Sequence, residues 1–204
     1  MTNVLAIGAH PDDIELGCGG TLAKHNAQGD NVTVLVVTNG ESGPGDVSAR
    51  VDEVGRAASV LGASRVVWGG HPDGRVSTDE LGLVHLIEDT IRTHRIDRVY
   101  THSEADSHQD HRAVALASLG AARHVGCLLA YDSPSSLGFA PSVFVDISGY
   151  LDKKLQALSE HISQVDHSSM VSTTLVSTNA GYRGFQARVE AAEGFVPLRL
   201  MLDL

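Results

Sequence analysis

The sequence predicts an α/β fold: a single domain of βαβ units with a mostly parallel sheet. Three observations carry that expectation. Short apolar runs alternate along the chain with segments of helical period, the signature of βαβ units. Glycines close helical segments, at Gly29 and Gly62. Finally, 204 residues bury one substantial core but not two comfortable ones, and no repeat, low-complexity tract or long linker divides the chain.

The first apolar run, 4–8, predicts a strand, and the turn Gly17-Cys18-Gly19-Gly20 opens a helix over about 18–28. A second strand is expected at 32–37. The helix after it, 48–61, sets Val51, Val54, Ala58 and Leu61 on one face. A third strand falls at 65–68, followed by a helix that begins with the capping-box pattern Ser77-Thr78-Asp79-Glu80 and runs to about His94. Strands at 97–101, 125–131 and around 142–146 complete the sheet. The helix over 149–165 has the clearest period, with Leu151, Leu155, Leu158, Ile162 and Val165 spaced by alternating fours and threes. Residues 166–185 are rich in Ser, Thr, Gly and Asn without a period, so a surface loop folding back across the sheet is expected there.

Hydrophobic residues make up 42% of the chain and charged ones 20%, ordinary values for a soluble protein. Fifteen Lys and Arg stand against 25 Asp and Glu, a formal charge of -10. Nucleic-acid backbones are bound through clustered cations, so this balance argues against a nucleic-acid partner. The two cysteines, Cys18 and Cys127, are far apart and in no CxxC, which fits a reducing compartment. No basic region followed by a long apolar stretch marks a signal peptide, and no run approaches the roughly 20 apolar residues of a membrane span. A cytoplasmic protein that does not engage a membrane is expected.

In open α/β sheets, ligands bind beyond the carboxyl ends of the strands, where the strand order reverses. The loops to inspect are therefore 9–17, 38–47, 69–76 and 102–112. The first holds His10-Pro11-Asp12-Asp13-Ile14-Glu15. One imidazole and three carboxylates crowded there repel one another unless a cation neutralises them. The last holds Asp106-Ser107-His108-Gln109-Asp110-His111-Arg112, again imidazoles among carboxylates. Either cluster alone fits a turn or a helix cap; two on neighbouring loops point to one shared cation.

Catalytic zinc takes three protein ligands and leaves a position for water. His10, Asp13 and His111 supply such a set. Asp12 is then the carboxylate that takes the proton of that water. His108 is the donor that stabilises the oxyanion and protonates the leaving amine, and Asp110 is expected to hold His108 protonated and oriented. Among the other histidines, His102 reads as a support for its loop, and His25, His85, His94, His124 and His161 as solvated or structural. Cys18 reads as a small buried helix residue.

The segment Ala9-His10-Pro11-Asp12-Asp13-Ile14-Glu15 resembles the AHPDDxE signature of the LmbE-like (PIG-L) family of zinc-dependent N-acetylglucosaminyl deacetylases. Asp106-Ser107-His108-Gln109-Asp110-His111 resembles that family's DxHxDH motif, with Gln109 where relatives often carry Pro. The similarity continues through Arg50-Val51-Asp52-Glu53, Asp146-Ile147-Ser148, Lys153-Lys154, Ser163-Gln164 and Ala192-Glu193-Gly194-Phe195, so one domain over 1–204 is expected, and the resemblance implies a single-domain Rossmann-like three-layer sandwich. Position by position, the resemblance implies His10, Asp13 and His111 as metal ligands, Asp12 as general base, His108 as imidazolium acid and Asp110 as its support. It implies a substrate contact at Arg50, with Asp73 and Glu41 as further substrate candidates. The implied cofactor is Zn2+, and Fe2+ also suits such an N/O site.

The membrane anchor of the eukaryotic relatives has no counterpart among these residues, which favours a soluble small-molecule partner, an N-acetylated sugar. Relatives often assemble, so a homo-oligomer is compatible with the resemblance. The reaction expected is removal of the N-acetyl group from an N-acetylglucosamine-type sugar or glycoconjugate. Two other functions fit the same residues: an amidase acting on a thiol-sugar conjugate, and a metal-dependent sugar-binding protein without turnover. The last would have no use for Asp12.

Overall fold

Seven strands, β1 (Asn3–Gly8), β2 (Asn31–Thr38), β3 (Arg65–His71), β4 (Arg98–Thr101), β5 (Cys127–Tyr131), β6 (Val143–Asp146) and β7 (Ala192–Leu200), form one sheet in the order β3-β2-β1-β4-β5-β7-β6. The structure is a computed structural model that describes residues 1–165 and 171–202. The first five strands are parallel, and β7 runs antiparallel between β5 and β6. Side chains of β1 and β2 alternate between two apolar layers: Val4, Ala6, Val34 and Val36 enter one, Leu5, Ile7, Leu35 and Val37 the other. Helices α1 (Asp13–Ala27) and α2 (Val47–Leu61) cover the first layer, joined later in the chain by α5 (Leu151–Ser159). α3 (Glu80–His94) and α4 (Gln109–Ala121) cover the second. Each fully buried Leu or Ile in these layers contributes about 1.5–3 kcal/mol. The result is the expected three-layer α/β sandwich. Among the described residues no helix is long and apolar enough to cross a membrane.

β1 and β4 are neighbours although β2 and β3 lie between them in sequence. The strand order therefore reverses at this pair, and a crevice opens between the loops that follow them.

Several elements differ locally from expectation. α1 starts at Asp13, and the predicted start is instead a kink, with Cys18 at φ -142 and ψ 17. The kink frees backbone groups that distant partners satisfy. Glu193 accepts from the amides of Gly20 and Thr21 (2.9 and 2.7 Å), and Lys154 Nζ donates to the Leu16 carbonyl (2.7 Å). The helix expected over 149–165 divides into α5 and α6 (Ile162–Val165). Glu53 accepts from Ser163 N and Oγ (2.9 and 2.7 Å), and His161 is drawn into a buried position beside Glu15; these contacts outweigh the apolar period. The loop expected to reach residue 112 ends where α4 begins, because His108 caps that helix through Nδ1, which accepts from Asp110 N at 3.2 Å. α3 follows a short 3-10 turn, Val76–Asp79, and is capped by Asp79 rather than Ser77.

Of the loop expected over 166–185, residues 166–170 lie outside the described residues, and most of the remainder is helical. α7 (Thr173–Ala187) has weak helix formers but packs Ala180 and Gly184 inward; a Cβ on Gly184 would lie 2.6 Å from the Glu190 carbonyl oxygen. β7 is hidden in the sequence by Gly194 and Pro197. Pro197, which has no N–H, sits where the register with β5 slips at Leu128/Leu129.

Candidate active site

Beyond Gly8 the chain turns through His10 and Pro11 into α1. Asp12, the residue before that helix, has φ 99 and ψ -24, a left-handed conformation costing a non-glycine residue about 1–3 kcal/mol. Asp13 fixes the turn by accepting from His10 N at 2.7 Å. Across the crevice, His102 follows β4 and is fully buried, while the first turn of α4 presents Asp110 and His111.

The two segments meet at Asp13. Its carboxylate lies 3.4 Å from His10 Nδ1, 3.2 Å from His102 Nε2 and 3.3 Å from His111 Nε2. The His10 and His111 rings are 5.3 Å apart between centres, and the His108 ring is 4.7 Å from the first and 4.6 Å from the second. Asp73 and Asp110 approach His10 Nε2 at 3.1 and 3.3 Å. Donor atoms of His10, His108 and His111 lie within 4.8 Å of one another, as do those of Asp13, His102 and His111. The expected ligands His10, Asp13 and His111 thus belong to one cluster, although four further groups, His102, His108, Asp73 and Asp110, crowd the same space.

The chemistry of this donor set suits a divalent cation. Asp106, an acceptor when ionised, accepts from His111 Nδ1 at 3.1 Å, so that Nε2, facing Asp13, is the nitrogen a cation can occupy in place of a proton. Burial lowers the pKa of His10, but bonds to Asp110, Asp13 and Asp73 outweigh it and push the ring up to about 12. His111 rises to about 9, burial again being outweighed by Asp13 and Asp106. Protons on these rings are the positive charge that the surrounding carboxylates demand, and a divalent cation meets the same demand.

Asp12 points its chemistry the other way. Burial and the charge of Asp13 raise its carboxyl to about 7, against the pull of His161, Arg50 and His10. A base works best with a pKa near the operating pH. Asp12, Asp13, His10, His108 and His111 share the wall of a cavity of about 430 Å3.

Residues 5–122 match the family described as PIG-L, GlcNAc-PI de-N-acetylase. The chain belongs to the PIG-L family. The uncharacterised deacetylase YaiS of Escherichia coli K12 is 40% identical over 167 residues, 78% of this chain and 90% of that protein. The diacetylchitobiose deacetylase of Thermococcus kodakarensis is 30% identical over 189 residues, covering 80% of this chain and 70% of the relative. The crystal structure of the conserved protein TT1542 from Thermus thermophilus superposes with a TM-score of 0.88 at 31% identity, covering 100% of this chain and 98% of the other.

Within this PIG-L chain Asp110, His108 and Glu41 meet a geometry the sequence did not indicate. The Asp110 carboxylate does not pair with the His108 ring. Its oxygens accept from Gly74 N (2.7 Å) and Val76 N (3.2 Å) and meet His10 Nε2, because the start of α4 turns the side chain towards the loop after β3. Burial, His10 and His111 lower the pKa of His108, and its Nδ1 accepts from Asp110 N. The Asp110 amide thus engages the His108 Nδ1 lone pair, and Nε2 is the ring nitrogen left free to face the cluster. Glu41 does not line the cavity; it is exposed and accepts from Asp73 N at 2.8 Å, tethering two loops.

Arg50 and Asp73 do line the cavity. Arg50 is buried, donates to the Gly40 carbonyl and keeps an unpartnered Nε; Asp73 accepts from Ser42 N at 3.0 Å. Sequence reasoning missed Ser42, Pro134, Ser135, Gln164 and Val171, which line it too. Ser42, Gln164 and Val171 lie in stretches the sequence singles out (38–47, Ser163-Gln164 and 166–185), whereas Pro134 and Ser135, after β5, carry no local pattern. His102 accepts from Ala9 N at 3.0 Å, and burial with the His111 charge lowers it to about 4, so a neutral ring props the loop after β1. Asp106 stands at the head of the second motif, where its spacing of five from His111 was the available signal.

Proposed function

We propose that this PIG-L protein is a metal-dependent hydrolase that removes the N-acetyl group from an N-acetylglucosamine-type sugar or glycoconjugate. The observation that carries the reading is a His/Asp cation site and a carboxyl raised to about 7 on the wall of one cavity. A binding protein has use for the first only. Support comes also from the Thermococcus relative, a diacetylchitobiose deacetylase.

His10, Asp13 and His111 would hold the ion, assigned as Zn2+, with Fe2+ compatible with the same N/O donors. Bound there, the ion supplies Lewis acidity that polarises the amide carbonyl and brings a water pKa towards about 7. Asp12 accepts the proton of the attacking water and returns it to the amide nitrogen as the C–N bond breaks. His108 donates Nε2–H to the developing oxyanion. Asp110, through His10 and the Gly74–Val76 amides, is a positioning residue for the loop that carries Asp73. Arg50 and Asp73 orient the sugar hydroxyls. Both cysteines are free and buried, in keeping with a reducing cytoplasm.

Asp12→Asn preserves shape and removes the base. Acetate release from N-acetylglucosamine and diacetylchitobiose by the metal-loaded protein should fall by about 10²–10⁴-fold, with metal content unchanged. Turnover comparable to the parent protein would refute the assignment of the base.

A further inference from the structure

A second cavity, of about 300 Å3, lies beside the first, and nothing in the proposed mechanism uses it. Leu16 and Pro134 line both cavities, so the two abut along that pair. Its apolar wall includes Ala192 of β7 and Leu175, Val176 and Ala180 of α7. The charged groups present are already matched. Lys154 Nζ meets Glu193 at 2.5 Å, both buried, and Arg183 meets Asp132 at 2.7 Å. Among the described residues that line it no unbalanced charge calls for an ionic ligand, and the lining suits an uncharged apolar group.

Position indicates which group. Arg50 and Asp73, the candidate sugar contacts, stand on the β2 and β3 side of the His/Asp cluster, whereas the second cavity lies on the β5 and β7 side. An amide whose carbon sits at the cluster, with its sugar towards Arg50 and Asp73, sends its acyl substituent the opposite way, past Leu16 and Pro134. We propose that the second cavity receives the acyl chain, and that the substrate class is N-acylated amino sugars with alkyl chains longer than acetyl. The inference rests on the hydrolase reading above. The chemistry is unchanged: water supplies hydroxyl to the acyl carbon and a proton to nitrogen, the C–N bond breaks, and a carboxylic acid and a free amino sugar leave.

The test compares N-acetyl-, N-butyryl- and N-octanoylglucosamine in two ways. Turnover is followed by amine release from the metal-loaded full chain, and equilibrium binding is measured on the Asp12→Asn variant. Affinity should rise by roughly three- to fourfold for each methylene that enters the cavity, and kcat/KM for the octanoyl compound should match or exceed that for the acetyl one. Val176→Trp fills the cavity from α7 and should lower the octanoyl-to-acetyl ratio of kcat/KM by about tenfold or more. Leu175→Trp, on a more exposed position of the same helix, serves if the first variant does not fold. Affinity that is flat or falling from acetyl to octanoyl, or a ratio untouched by either Trp, would overturn the proposal. Chain-length preference in binding without turnover of any compound would overturn the hydrolase reading and leave the acyl cavity standing.

Discussion

Replacing Asp106 by Asn tests whether the imidazole and carboxylate cluster is built to hold a cation. Asp106 is 2% exposed and its carboxylate accepts three hydrogen bonds. Oδ1 takes His108 N at 2.8 Å, and Oδ2 takes His111 Nδ1 at 3.1 Å and Ser133 Oγ at 2.7 Å. An amide of the same shape has one acceptor and one donor end, and either orientation sets a donor against a donor. With its NH2 towards His108 N, the α4 cap is disturbed. With its NH2 towards His111, Nδ1 must become the acceptor, Nε2 must keep the proton, and that nitrogen is no longer available to a cation. Hydrogen bonds to an ionised group contribute about 1.5–3 kcal/mol each, so unfolding in urea should show a loss of that order. Partners that orient a ligating histidine typically set metal affinity by about 10–100-fold. The Zn2+ dissociation constant, measured by competition with a chelating dye, should therefore rise by that factor. A stability loss with unchanged zinc affinity would refute His111 as a ligand and reduce Asp106 to a structural group.

Stripping the metal with a chelator should lower the thermal midpoint, and Zn2+ should restore it, because the ion binds the folded cluster preferentially; a calorimetric scan reads this directly. Gly17→Ala places a Cβ 2.2 Å from Tyr131 Cδ2, and Tyr131 is fully buried with its hydroxyl on the Ile7 carbonyl at 2.7 Å. Neither side can yield freely, so a loss of about 1–3 kcal/mol or more is expected in the urea midpoint. His25 is lowered below its ordinary 6.5, burial outweighing its bond to Asp30. The unfolded chain then takes up that proton at a higher pH than the folded one, so this contribution to stability is present above 6.5 and is lost as pH falls towards the folded pKa. Between about pH 7.5 and about pH 5.5 the parent protein should lose more stability than His25→Gln, compared by urea unfolding at each pH.

The parts of this protein that were legible in its sequence are those specified by contiguous residues. Val4–Gly8 reads as a strand because both faces of its run are apolar, and the first motif follows it without interruption, so fold position and chemistry arrive together. The second motif is legible for the same reason. Roles within a motif were less legible, since they depend on which way a helix turns its side chains. Asp110 sits two residues from His108 in the chain, yet the first turn of α4 aims it at Gly74 and Val76, whose position depends on the loop after β3. α7 and β7 escaped because their stability is tertiary: polar weak helix formers pack on a neighbouring strand, and a proline is accommodated only by a slip in register.

The kink in α1 joins these observations. Before Cys18, the turn Asp13–Gly17 takes its direction from the cluster, with Asp13 held among three imidazoles; after it, Leu22 and Ala23 take theirs from the core. One straight helix has to compromise between the two. Breaking it exposes a carbonyl and two amides, and a buried, unsatisfied backbone group costs about 1–3 kcal/mol. Lys154 and Glu193 fill those vacancies while neutralising each other, so the left-handed Asp12 is backed by a rigid frame rather than by a frayed helix end. The same two residues floor the second cavity. The frame behind Asp12 and the wall that would shape the acyl pocket are one structure: an apolar pair in place of Lys154 and Glu193 would fill the space but leave the kink unsupported.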